Sequence, residues 1–195
     1  MAAVTDEIFE KYLQKAIAET NELGDEIARA AGEGQVPVLG SGHPLADVFL
    51  LKHSPQPAEV QEGVAFYGRA GQALLKSLQR LNVDPLAIYG TNCFKFGTED
   101  SADARGWLTR ELHIVQPRLV VAMGDETVSF LDELTFPLSE RLDAQRPGEL
   151  QRFTPTIDAL VTPDIDASLD EQSAKTSFWN AFKTLGTWWA ELPPY

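Results

Sequence analysis

The chain is short of the residues that build covalent or metal-held frameworks. It has a single cysteine, Cys93, so no disulfide can close within it, and it cannot alone supply a cysteine zinc site or a four-cysteine iron–sulfur cluster. Its three histidines, His43, His53 and His113, are scattered without metal-ligand spacing, and no cofactor is expected. No apolar run approaches the roughly 18 residues of a membrane-spanning helix, so no membrane partner is expected. The first residues, MAAVTDEIFEKYLQ, are acidic and amphipathic where a secretion signal is basic and then apolar, which sets a cytoplasmic expectation. Positive charge is scarce too. Sixteen Lys and Arg stand against 29 Asp and Glu, a net charge of −13, which argues against nonspecific nucleic-acid binding through the whole surface.

The charge is unevenly spread. Residues 1–35 hold three basic and eight acidic groups, giving −5; residues 98–195 hold eight and seventeen, giving −9. Residues 36–97, with five basic and four acidic groups, are the only part that is not acidic. The 195 residues, 44% hydrophobic and 23% charged, suit one soluble domain over 1–195, expected as a monomer: a helical extension at 1–35 and an α/β core at 36–195.

Ile8, Tyr12, Ala16, Leu23 and Ile27 recur at helical spacing and predict a helix over 5–31 with those residues inward. Beyond the Gly/Pro-rich segment 32–46, the apolar run 47–51 predicts a buried strand. Further strands are expected at 87–92, 119–123 and 158–162. Helices are expected at 69–81, 101–115, 124–134 and 169–190, with mostly loop over 135–156. Alternating strands and helices imply a three-layer α/β/α fold around a mainly parallel sheet of about four strands, plus the N-terminal helix. Right-handed crossovers then bring the loops after Leu51, Asn92 and Thr162 to one sheet edge, where a ligand is expected. The longest of these, Lys52 to Gly71 (KHSPQPAEVQEGVAFYGRAG), is the expected builder of a site on length alone.

The same loops carry a family resemblance. Gly63-Val64-Ala65-Phe66-Tyr67-Gly68-Arg69-Ala70-Gly71, with Pro55 eight residues before Gly63, resembles the paired loop motifs of the uracil-DNA glycosylase superfamily, most closely its family-4-like branch. Gly40–Asp47 is similar to that family's glycine-rich lead-in, Tyr89–Lys95 to its strand ending in a base-reading Asn, and Gln116–Gly124 to its next strand. The resemblance covers about residues 39 to 188 and leaves out the N-terminal helix.

It implies hydrolysis of the N-glycosidic bond of uracil, or of a related damaged base, in DNA, with the base flipped into a pocket. Carried over residue by residue, Phe66 is the stacking ring, Asn92 reads the base through its amide, and Ser54, Pro55 and Gln56 form the pocket wall. Lys52 and Lys95 flank the mouth as candidate phosphate contacts, with Arg69 beside them. The catalytic positions depart from the family. His53 stands where the family has a carboxylate, with Lys52 and Gln56 in place of glycines, and Thr162-Pro163-Asp164-Ile165 stands where it has His-Pro-Ser. Either Thr162 or Asp164 falls at the histidine position. The iron–sulfur cysteines of many family members are absent. Two functions therefore stand side by side: a divergent DNA glycosylase using His53 with Thr162 or Asp164, or a catalytically inactive descendant that binds a nucleobase, nucleotide or nucleic acid.

Overall fold

A computed structural model describes residues 2–193. Its centre is a six-stranded sheet, built from β1 (Ser41–Gly42), β2 (Val48–Lys52), β3 (Ile88–Asn92), β4 (Leu119–Met123), β5 (Leu150–Thr154) and β6 (Ile157–Thr162). The spatial order is β1-β3-β2-β4-β6-β5. The four central strands are parallel, as the sequence predicts, and fully or nearly fully buried. The two edge strands are antiparallel and were not expected. β1 lies in the Gly/Pro-rich segment, and β5 lies in the stretch predicted as loop. Neither was legible because β1 has two residues, and the exposed, polar half of β5 (Leu150-Gln151-Arg152) hides the period-two signal.

Among the described residues seven helices surround the sheet: α1 (Ala2–Ala30), α2 (Pro57–Glu62), α3 (Arg69–Arg80), α4 (Ala104–Val115), α5 (Asp125–Asp132), α6 (Gln172–Phe182) and α7 (Thr184–Ala190). Alternate strand residues face opposite layers. Phe49, Leu51, Val120, Ala122, Ala159 and Val161 pack with Leu108 and Leu112 of α4 and Val128 and Leu131 of α5. Val48, Leu50, Val121, Met123 and Leu160 pack with Leu74 and Leu78 of α3 and Phe178, Phe182 and Leu185 of α6 and α7. The expected last helix is two, since α6 ends at Phe182 and α7 begins at Thr184.

The N-terminal helix corrects one expectation. Ala16, Leu23 and Ile27 are buried, with Leu23 and Ile27 packed against Trp107 of α4, but Ile8 and Tyr12 are more than half exposed, Tyr12 at the edge of a hollow between α1 and α4. Among the described residues no helix is long and apolar enough to cross a membrane, and no group of three His, Cys, Asp or Glu could hold a metal ion.

Under the end of β3 lies a buried polar network. Lys95 donates to the Thr91 hydroxyl at 2.7 Å, to the Asn92 carbonyl at 2.7 Å, and to Glu111 of α4. The other oxygen of Glu111 accepts from the Tyr89 hydroxyl at 2.7 Å. Burial, and then the negative Glu111, push the Tyr89 phenol well above its ordinary pKa, so it remains a donor. These bonds satisfy a cation and an anion far from water and fix the backbone where β3 ends.

The packing sets two expected outcomes. Glu111→Ala leaves the Lys95 ammonium buried without its anion and is expected to cost about 3–5 kcal/mol in urea unfolding. Cys93 is fully buried, and burial pushes its thiol far above the usual range. It is expected to resist thiol reagents in the folded protein and to react fully once unfolded, as read by mass shift after alkylation with and without denaturant.

Candidate functional site

The parallel register sets the site. Lys52 is paired with both Asn92 and Met123, and Met123 with Thr162, so Asn92, Lys52, Met123 and Thr162 lie abreast at the carboxyl ends of the four central strands. The strands then turn into the loops that the sequence singles out. At this edge the candidate residues fall into two groups.

The inner group is organised by Glu59, a residue of α2 that the family motifs do not mark. Its carboxylate is 1% exposed and accepts four hydrogen bonds. One oxygen takes the Lys52 ammonium at 2.7 Å and the Gln56 N–H at 2.6 Å. The other takes the Phe66 N–H at 2.6 Å and the Asn92 side-chain amide at 3.2 Å. Lys52 is completely buried. Its ammonium also donates to the Ser54 carbonyl at 2.9 Å, pairs with Asp166 at 3.0 Å, and lies 5.5 Å from the centre of the Phe66 ring. Asp166 is held above the usual carboxylate range, chiefly by burial, against which the pull of Lys52 is the opposing effect.

Local sequence explains the helix that carries Glu59. Pro57 opens α2 at a position that needs no N–H, and Glu59 reaches back to the free N–H of Gln56, a pairing that satisfies an otherwise orphaned donor. Gln-Pro-Ala-Glu was therefore a readable start signal. Phe66 has φ of 62°, in the left-handed region that costs a bulky side chain energy. Two glycines make room for it. A Cβ at Gly90 would stand 2.6 Å from the Phe66 ring, and one at Gly71 would stand 1.9 Å from the Phe66 carbonyl oxygen.

This arrangement redefines several expected residues. Phe66 and Asn92 come together as expected, but the Glu59 carboxylate bridges them and the Lys52 ammonium lies over the ring. Asn92 is wholly buried. Because its amide nitrogen faces a carboxylate, its oxygen is turned the other way and is the one buried side-chain polar atom without a partner among the described residues. Ser54 and Gln56 do wall a compartment, but they turn their backbone groups toward Lys52 and Glu59, and the Gln56 side chain is exposed. Pro55 is buried between them. The expectation that Lys52 and Lys95 meet phosphates is overturned. They are 0% and 1% exposed, and each is neutralised by a buried carboxylate, Glu59 and Glu111 respectively. Arg69 remains at the surface, paired with Asp170 at 2.7 Å.

The outer group lines a cleft of about 400 Å³ that includes His53, Gly124, Asp125, Glu126, Thr162 and Asp164. His53 is partly exposed. Its Nδ1 is 3.3 Å from the Glu126 carboxylate, and its ring lies 4.3 Å from that of Phe94. Thr162 is buried and spends its hydroxyl proton on the Pro163 carbonyl, 2.9 Å away. Asp164 accepts from the Asp166 N–H at 3.1 Å, and its carbonyl accepts from the Ser168 hydroxyl at 2.6 Å, so it also shapes the turn. All three candidate catalytic residues thus meet at one concave surface, whose rim is acidic.

An α/β sheet whose central strands are parallel, with a concave surface at their carboxyl ends, is the layout of a ligand-binding α/β protein. A family model described as the uracil DNA glycosylase superfamily matches residues 39–185, which take in the sheet, both groups of residues and every helix from α2 to α6. The chain belongs to that superfamily.

The inner network yields a direct test. Lys52→Met strands a buried carboxylate that keeps only neutral donors and is expected to cost about 3–5 kcal/mol in urea unfolding. Adding Glu59→Gln to it is expected to cost clearly less than the sum of the two single changes, because the two groups are in contact.

Proposed function

We propose that this protein is a divergent member of the superfamily that recognises a base-bearing ligand at the cleft between His53 and Asp164, and that it does not excise uracil at an appreciable rate. The observation carrying this reading is the buried Lys52–Glu59 ion pair set between Phe66 and Asn92. Excision requires a base to stack on a ring while an amide reads its edge, but here the amide nitrogen is bonded to Glu59 and the Lys52 ammonium lies 5.5 Å from the centre of the half-buried Phe66 ring. Admitting a base there means parting a buried ion pair, at a cost of several kcal/mol. The chemistry is altered as well. An oxocarbenium-like sugar gains from a nearby carboxylate, and residue 53 is a histidine, whose protonated form would oppose that charge.

The rim favours particular ligands. Asp125, Glu126 and Asp164 present acceptors and negative charge, and the exposed cation nearest in the motif, Arg69, is already paired. A ligand offering N–H donors suits such a surface better than a run of phosphates does. The His53–Phe94 ring pair offers a face for a base to stack on.

Hydrolysis of a different base from DNA is a second reading. One observation favours it: Asp164, facing the same cleft as His53, supplies a carboxylate across from the first loop. Both readings are decided by incubating the protein with oligonucleotides containing uracil, hypoxanthine or xanthine and scoring strand breaks after alkali. The expected result is no uracil release above the buffer control. Binding is followed by thermal shift with bases, nucleosides and oligonucleotides, and a saturable shift that His53→Ala and Asp164→Asn both abolish is expected. Release of hypoxanthine or xanthine that is lost in Asp164→Asn establishes the second reading. Efficient uracil release sinks the first.

A further inference from the structure

A second hollow, of about 480 Å³, lies on the α3 side of the sheet at the β1–β3 edge and shares no residue with the cleft of His53 and Asp164. Leu50 and Ile88 of the sheet, Leu74 and Leu78 of α3, and the half-buried ring of Phe66 line it. Asn92, Lys52 and Glu59 do not. Hollows of this size hold small molecules.

Three features define the occupant. The first is charge. The chain is 23% charged, yet no Lys, Arg, His, Asp or Glu lines the hollow. A charged ligand group would lose its water there and gain no partner, so the ligand is neutral. The second is the rim. Val64, Tyr67 and Leu75 are large apolar side chains left exposed around the opening, and they gain by covering an apolar body.

The third is the backbone of Gly42. β1 pairs Ser41 with Gly90 and Gly42 with Tyr89, and the His43 N–H donates to the Ile88 carbonyl at 2.9 Å. Alternate residues of an antiparallel strand aim their backbone groups at the partner strand. Ser41 and His43 therefore face β3, and Gly42 turns its N–H and C=O to the open side. Glycine is required for this, since φ is 114° and a Cβ would stand 2.2 Å from the Ile88 carbonyl oxygen. Just upstream the open side is already taken. Leu39 donates to the Gly63 carbonyl at 3.1 Å, and Ala65 donates to the Leu39 carbonyl at 2.9 Å. The free edge is thus one residue long. That is too short to seat an added peptide strand, but it offers one donor beside one acceptor, the complement of a single amide.

We propose that this hollow is a second ligand site, which takes a neutral small molecule with an apolar body and an amide-like edge paired with the N–H and C=O of Gly42. The site stands whether or not the strand-end cleft binds a base.

Titration of isotope-labelled full-length protein with naphthamide, followed by amide NMR, tests it. The Gly42 amide resonance is expected to shift and to saturate, with a dissociation constant of about 1 mM or tighter, as suits a ligand of this size. Naphthoate has the same shape but carries a carboxylate, and it should bind about tenfold more weakly or worse. Leu75→Glu changes a side chain that is already more than half exposed, so the circular dichroism spectrum should be unchanged while naphthamide binding weakens by about tenfold. A Gly42 resonance that does not move overturns the proposal, as does naphthoate binding equal to that of naphthamide or binding indifferent to Leu75→Glu. Light scattering of the wild type supplies a further check. A mass of twice 21.5 kDa that Leu75→Glu returns to the monomer value gives the hollow to a second copy and also overturns the proposal.

Discussion

The ion pair between Lys52 and Glu59 holds the strand-end region together. Lys52 is the last residue of β2, and Glu59 is the residue through which α2, Phe66 and Asn92 are all tied to that strand. Asp166 extends the tie to the loop after β6. Four segments far apart in sequence thus converge on one ammonium and one carboxylate. Neither charge is stable in the interior alone, and each is made tolerable by the other and by the neutral donors and acceptors around them. Phe66 can hold its left-handed backbone because its N–H is anchored on Glu59 and because Gly71 and Gly90 leave it space.

The two faces of the sheet end use the same device. On one face Lys52 and Glu59 lock the loop after β2, and on the other Lys95 and Glu111 lock the loop after β3. Both lysines look in sequence like cations waiting at the mouth of a site. Both are structural instead. This leaves a cleft rim with little free positive charge in a chain of net charge −13.

The parallel strands were legible because buried strands of a parallel sheet are short, continuous apolar runs such as Val48–Leu51 and Leu119–Met123. The loops that gather at their ends followed from topology, and the convergence of Phe66 and Asn92 followed from the family motifs. What filled the space between them did not follow, because a lysine one residue past an apolar run has no signature separating buried from exposed. Its burial depends on Glu59, seven residues on, and Asp166, more than a hundred residues on. Ile8 and Tyr12 misled for the converse reason. Periodicity marks an apolar side but does not say whether the body is long enough to cover it.

The shared dependence of Lys52 and Glu59 limits what single substitutions can do. A small residue at position 52 would reopen space beside Phe66 and Asn92, but taken first it leaves Glu59 as a buried anion without its cation. Losing Glu59 first removes the shared acceptor of Gln56, Phe66 and Asn92. Each single step crosses a destabilised intermediate, and only the pair of changes avoids it. Opening the space beside Phe66 and Asn92 therefore takes two coordinated substitutions, and stability resists either one made alone.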